Sequence, residues 1–337
     1  MSTPTLKTPI ETPDQEFDTA LRPKTLDEYV GQSNTKKNLA ILTQAARKRK
    51  DPLDHVLLYG PSGLGKTTLA HIIAREFGSG LRVTSGTALE KAGDIGSILT
   101  GLGDGDFLFI DEVHRLNKSV EETLYPAMEN YKLDIIIGKG TAAKTLQVAL
   151  PKFSIIAATT RISLLSNPFR SRFGAQYKLD FYTDEDIVRI IKRSAKLLDV
   201  SIDDKALSLV ARSARYTPRI ANHLLKRVRD YAQVKGIDRV DEPSAHAALD
   251  LLGIDEKGLG STDRSILKTI LTEFKGGPAG LKSIAASIAE EEDTIEEVYE
   301  PYLMRIGFMT RTARGRMITE AGIAHVAESN SKRPTLL

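Results

Sequence analysis

Between His55 and Leu179 the chain alternates short, apolar strand-like runs (residues 55–59, 81–84, 107–110 and 153–159) with stretches of helical period. Runs without a polar face belong to strands buried on both sides, and strands separated by helices pair in parallel. The region therefore predicts an α/β fold on a mostly parallel sheet. One segment breaks the alternation. Leu133–Ile137 and Thr145–Leu150 flank Gly138-Lys139-Gly140-Thr141 and predict a β-hairpin protruding between two core strands. Its Ile135-Ile136-Ile137 run is more apolar than a free hairpin requires, which leaves two uses, a docking surface for a partner or packing onto its own domain.

From Asp184 the pattern is helical only: Asp184–Leu198, Asp203–Ser213, Pro218–Val234 and Pro243–Leu252, with Asp or Thr placed to cap three of them. Gly253–Gly260 reads as a linker. Beyond it, helical stretches over Thr262–Phe274, Leu281–Ala289 and Thr294–Ile306 precede two short strands, Phe308–Thr312 and Arg316–Thr319, that turn at Ala313-Arg314-Gly315. Helices followed by such a hairpin outline a winged helix, a relative of the helix-turn-helix used mostly on DNA. The expected division is a mobile tail over 1–18, a large α/β domain over 19–182, a small helical domain over 183–253 and a winged-helix head over 256–337. The tail is assigned because its Thr, Pro and acidic residues show no apolar period.

Composition narrows the classes. The chain has 337 residues, 41% of them hydrophobic, enough for more than one core. The absence of cysteine rules out disulfides and thiolate metal sites. No apolar run reaches membrane-spanning length and no signal segment opens the chain, so a cytoplasmic location is expected. With 47 basic against 44 acidic residues the net charge is only +3, and contact with DNA must come from a local patch. The last unit supplies a candidate. Glu290 to Asp293, Glu296, Glu297 and Glu300 make its third helix acidic, whereas Arg305, Arg311, Arg314 and Arg316 make the hairpin basic. Phosphates would repel that helix, so the wing is the expected backbone contact, unless its arginines are simply solvated.

The sharpest chemistry lies at Gly60–Thr68, GPSGLGKTT, between the run Val56–Tyr59 and the helical stretch from Leu69. A strand, a glycine loop and a helix N-terminus in that order make a phosphate cradle: Gly60, Gly63 and Gly65 let successive N–H groups turn toward one anion, and the helix dipole adds to the field. Lys66 then meets the β- and γ-phosphates of ATP, and the Thr67 hydroxyl ligates Mg²⁺. Asp111-Glu112 closes the run Phe107–Ile110 at the end of a strand, where Asp111 can hold the Mg²⁺ shell and Glu112 can polarise water; the same pair can also cap the next helix. Thr159, closing another run, is expected to sense phosphate or hold the water. Arg170 and Arg172 stand among apolar anchors in Asn167–Phe173, and Arg172 is the better candidate for an arginine finger. Arg219 follows Thr217-Pro218 at a helix start, where the dipole opposes it unless it faces an anion; an exposed arginine is the alternative.

The stretches LRPKTLDEYVGQ (21–32), YGPSGLGKTTLA (59–70), FLFIDEVHRL (107–116), AATTRISLLSNPFRSRFG (157–174), YTPRIANHLLKRVRDYA (216–232) and RTARGRM (311–317) together resemble the AAA+ ATPases, and most closely the RuvB family of branch-migration motors. The resemblance implies an AAA+ core with a helical lid and a winged-helix head. It also implies a homohexameric ATP-driven translocase on double-stranded DNA that acts at Holliday junctions in recombination and repair. RuvA would dock on the hairpin at about 133–150, and RuvC would act downstream. It places Leu21, Arg22, Glu129, Asn130, Tyr131 and Tyr182 against the nucleotide near the hinge. Gly63, Lys66, Thr67 and Thr68 hold phosphates and Mg²⁺, Arg172 is the finger, Arg219 the lid arginine, and Arg311 and Arg316 the DNA-contacting wing. Ser62, Glu292 and Ala313 depart from the family pattern, where proline, a basic residue and proline are usual. A clamp loader or replication initiator shares the core motifs and is the alternative; the winged unit and the long hairpin disfavour the former.

Overall fold

The computed structural model describes residues 13–137 and 144–331. Nine strands are found there: β1 (Val56–Tyr59), β2 (Leu81–Ser85), β3 (Phe107–Asp111), β4 (Lys132–Ile137), β5 (Lys144–Ala149), β6 (Ser154–Thr159), β7 (Ala175–Lys178), β8 (Met309–Thr312) and β9 (Gly315–Ile318). Five form a parallel sheet in the order β2-β3-β6-β1-β7. Successive residues of a strand face opposite sides, and here both sides are apolar. Val56, Leu58, Phe107, Phe109, Ile156 and Ala158 enter one core, while Leu57, Leu108, Ile110, Ile155 and Ala157 enter the other. The strand that pattern reading missed is β7, an edge strand whose residues are nowhere fully buried.

β4 and β5 pair antiparallel as the expected hairpin; its turn at Gly138–Thr141 lies outside the described residues, as do the side chains of its isoleucine run. The tail expected over 1–18 is corrected at its C-terminal end. Pro13–Leu21 is a helix, with Lys226 and Arg229 of the lid over the Phe17 ring at 4.8 and 6.0 Å. Such contact with a distant helix leaves no periodic signal in a nine-residue segment. Residues 1–12 lie outside the described residues.

The lid is formed by Asp184–Leu197, Asp204–Arg212, Pro218–Lys235 and Glu242–Leu251. Thr183, Asp203 and Asp241 each accept a backbone N–H three residues on, satisfying helix donors that would otherwise go unpaired. Thr217 does not cap; its hydroxyl donates back to the Ala214 carbonyl. Lid residues such as Ile187, Ile191, Leu225 and Leu249 share one core with the sheet, so lid and sheet pack as a continuous body. The head has its own core around Ile266, Ile284, Leu303 and Ile318. It comprises Ser261–Thr272, Leu281–Ile288, a helical run from Glu292 to Arg305 with a π-helical turn over Ile295–Tyr299, the β8–β9 hairpin and a closing helix, Glu320–Ser331, that pattern reading did not include.

A buried ion pair joins lid to head. Arg215 Nη2 lies 2.9 Å from Asp263 Oδ1, and its guanidinium stacks on Tyr302 at 4.6 Å. Asp263 is 1% exposed, and burial holds its carboxyl above the usual range even though Arg215 pulls it down. Breaking such a pair on the arginine side strands a carboxylate in an apolar site. Arg215→Ala is expected to cost about 3–5 kcal/mol in denaturant melts at pH 7, with Asp263→Asn costing less, because Asn can still accept from the Gly260 N–H. The folded-state pKa of Asp263 lies above the unfolded value, so the folded state binds the proton more tightly. Removing Arg215 takes away the charge that holds the Asp263 pKa down, so the variant's folded state binds the proton more tightly still, and the Arg215→Ala deficit should shrink as pH falls from 7 toward 4. Equal losses in the two variants, or a deficit that grows on acidification, would contradict this.

Candidate functional site

The glycine loop leaves β1 and enters the helix Lys66–Phe77. Gly60, Gly63 and Gly65 all have positive φ (140, 77 and 94°). At Gly60 a side chain has no room, since a Cβ would come within 2.4 Å of the Leu179 carbonyl oxygen. Lys66 is 6% exposed, and its ammonium donates to the carbonyls of Gly60 (2.7 Å) and Pro61 (2.9 Å). Burial lowers its pKa, while Glu112, Asp111 and Glu297 pull it back up. A buried cation beside a glycine loop at a helix N-terminus fits the terminal phosphates of a nucleoside triphosphate. Thr68 follows in the first helical turn.

The loop is buttressed from behind. Tyr29 donates to the Leu64 carbonyl at 3.0 Å and accepts from Tyr182 at 3.0 Å. Burial raises both phenols, Tyr182 to about 12, so they remain hydrogen donors. Tyr182 thus supports the loop at the hinge between core and lid. Leu21 is buried nearby, its carbonyl held by Arg193 at 2.8 Å, and Arg22 lies close enough to His71 to help burial lower that ring to about 4. Arg219 brings the lid onto the loop: its N–H points at the Gly63 carbonyl at 3.4 Å, and its side chain is largely exposed.

Asp111 and Glu112 end β3 beside this loop. Thr67 Oγ1 lies 3.4 Å from Asp111 Oδ2, the pair placed to hold Mg²⁺. Among the described residues no group of three or more His, Cys, Asp and Glu could hold a metal ion. Glu112 takes a left-handed backbone (φ 44°), and its Oε2 faces the Thr160 hydroxyl at 3.2 Å and His114 Nδ1 at 3.2 Å. Burial lowers the pKa of His114.

Three expectations are corrected. Thr159 does not face the crevice: it is fully buried, bonded to His114 (2.9 Å) and to the Arg161 N–H (3.0 Å). Its side chain falls on the strand face of Ile155 and Ala157, and the next residue, Thr160, meets Glu112. Glu129, Asn130 and Tyr131 lie away from the hinge. Tyr131 packs edge-on against Phe153, just before β6, and the neighbouring Met128 carbonyl lies 3.1 Å from His55, just before β1; the phosphate loop follows the other end of β1. Arg172 sits with them, 3.0 Å from Glu129 and over the Tyr125 ring at 3.9 Å. A four-residue strand spans about 13 Å, so this cluster is too distant to serve its own chain's phosphates.

The third correction concerns the wing. Arg316 is 8% exposed and paired with Glu300, itself 2% exposed, so it is no surface ligand for phosphate. Arg311 is exposed and bonded to Glu296 at 2.9 Å; Arg314 is exposed at the hairpin tip. Tyr29, His114, Thr160 and Arg161 were not singled out from the sequence, and Glu297 entered only as a member of the acidic run. Thr160 carried a signal as the second threonine at the end of its strand.

Family models match the whole length of this architecture: the Holliday junction DNA helicase RuvB P-loop domain over residues 21–179, the RuvB AAA lid domain over 182–255 and the RuvB C-terminal winged helix domain over 256–327. Among solved structures the chain is similar to the Thermotoga maritima RuvB Holliday junction branch migration motor, with 50% identity and a TM-score of 0.85 over 91% of this chain and 98% of that one. An alanine-to-serine mutant of the Thermotoga protein matches over the same shares with 50% identity and a TM-score of 0.86.

Glu112 stands outside the glycine loop, so its expected role can be tested apart from binding. Glu112→Gln should leave affinity for a fluorescent ATP analogue within about threefold while turnover falls at least about a hundredfold, since the phosphate cradle stays intact and the carboxylate expected to polarise water is lost. Near-normal steady-state turnover would remove Glu112 from the chemistry.

Proposed function

The chain belongs to the RuvB family, the ATP-driven motors of Holliday junction branch migration, and we propose how its residues divide that work. The observation that carries the reading is the meeting of Lys66, Asp111, Glu112 and Thr160 at the strand ends beside a glycine loop, in a chain matched by all three RuvB domain models. That match sets aside the clamp-loader and initiator alternative. Among the described residues no helix is long and apolar enough to cross a membrane.

Loop N–H groups and Lys66 bind the ATP phosphates, and Arg219 reaches them from the lid. Mg²⁺, held by Thr67 and Asp111, would neutralise developing charge on the phosphate oxygens. Glu112 orients water for attack, itself held by Thr160 and His114. Because Arg172 and Glu129–Tyr131 sit at the opposite end of the sheet from their own phosphate loop, they act on the nucleotide of a neighbouring copy. The active site is then shared, and the working form is a ring, a homohexamer by family resemblance. Leu146 stands half exposed on β5, consistent with a hairpin at 133–150 offered to RuvA; RuvC acts downstream on the same junctions. The expected location is the cytoplasm.

Sharing can be tested by mixing. Lys66→Ala and Arg172→Ala should each be inactive alone, and rings assembled from both should regain ATPase above either parent, because some interfaces pair an intact loop with an intact finger. An arginine finger contributes roughly 10³ or more to turnover, so the recovery is measurable. No recovery in rings shown to be mixed would assign Arg172 a role within its own chain.

The wing prediction separates surface from core. Arg311→Ala and Arg314→Ala should each weaken binding to two unrelated duplexes by similar factors, and each should flatten the log–log salt dependence by about one unit. Arg316→Ala should instead destabilise the head by about 3–5 kcal/mol, because it strands the buried Glu300 carboxylate. Fluorescence anisotropy over a salt series, with thermal melts, checks both. Loss on one duplex only would indicate base readout.

A further inference from the structure

The head rests on the catalytic edge of the core through its acidic helix. Asp293, Glu296 and Glu297 stand at spacings that share one helix face, and all three converge on Arg161, one residue beyond Thr160. Arg161 Nε lies 2.6 Å from Glu297 Oε1, and Nη2 lies 3.0 Å from Asp293 and 3.7 Å from Glu296. The other oxygen of Glu297 lies 3.2 Å from the Thr160 hydroxyl, which is also 3.2 Å from Glu112. A hydroxyl has one proton to donate, so the head's Glu297 and the core's Glu112 compete for it. Glu296 and Glu297 fall within the π-helical turn, a distortion that often accompanies function. Pro61 of the phosphate loop lines the same cleft as Thr160, Arg161, Glu296 and Glu297, which puts the acidic face next to where the terminal phosphate binds.

We infer that this contact is a latch opened by ATP: the acidic face of the head, seated on Arg161 and Thr160, and the γ-phosphate exclude each other, so triphosphate binding releases the head and returns the Thr160 proton to Glu112. The inference rests on the ATP-site reading above. Its physical basis is like-charge repulsion in a partly buried cleft, where water screens poorly. Coupling between binding and docking is reciprocal, so whatever opens the latch must raise triphosphate affinity by the factor with which triphosphate opens it. A diphosphate lacks the group that faces the head and should leave the latch closed. The acidic run that makes this helix a poor DNA reader thereby has a use within the chain, and Glu297 is a positioning residue for Glu112.

The chain has no cysteine, so two introduced ones report cleanly. The test uses full-length protein with spin labels at Lys118→Cys on the core and Lys282→Cys on the head, diluted with unlabelled chain, with distances read by double electron–electron resonance without nucleotide, with ADP and with ATPγS. The short-distance population should persist with ADP and give way to a longer or broader one with ATPγS. Glu297→Gln and Arg161→Ala should each produce the open distribution without nucleotide. Each should also raise ATPγS affinity by about five- to tenfold while changing ADP affinity less than about twofold, and the double variant should add little, since either change opens the same contact. Unmoved labels with the nucleotide site shown to be filled, or equal effects on ADP and ATPγS, would overturn the latch alone. Failure to bind either nucleotide would overturn the ATP-site reading and the latch with it.

Discussion

A buried ammonium governs the molecule. Lys66 is almost wholly removed from water, and loop carbonyls alone are weak compensation for a charge in such a place. Burial works against the charged form, and the structure answers with carboxylates from two domains, Asp111 and Glu112 from the core and Glu297 from the head. The need to satisfy one cation beside the glycine loop thus links the strand ends, Glu112 and the head.

The cradle keeps its shape because it is held from outside. A Cβ on Gly65 would lie 2.6 Å from the Tyr29 hydroxyl, so proximity as well as positive φ favours glycine there; at Gly63 the positive φ is the stronger demand, with the nearest atom, Arg219 Cβ, 3.2 Å from a Cβ. Tyr29 and Tyr182 fix the Leu64 carbonyl from the hinge side. Lid and sheet share a core, so the loop, the hinge tyrosines and the lid belong to one packed body. The Arg215–Asp263 pair joins that body to the head.

Charge in the head has two destinations. The acidic helix turns one face to Arg161 of the core and, through Glu300, neutralises Arg316 inside the head; Arg311 is exposed but paired with Glu296 of the same helix, and Arg314 is exposed at the hairpin tip. Segregation that looks like a property of one small domain is an arrangement between two.

Much of this was legible in the chain itself. Uninterrupted apolar runs at 107–110 and 155–158 dictate doubly buried strands, because both faces of a parallel sheet must be covered. GPSGLGKTT dictates a phosphate loop, because few residue orders tolerate those dihedrals and end in a lysine. Such features are local, decided within a dozen residues. What only the tertiary structure decided depends on pairs far apart in sequence: that Thr160 rather than Thr159 meets Glu112, since one step along a strand reverses the side chain; that Glu129 stands with Arg172 at the far end of the sheet; that Arg316 is buried on Glu300; and that Glu297 crosses from the head to Thr160. Charge and motif determine which groups a chain possesses. Which of them meet, and which are taken from water, is determined by packing.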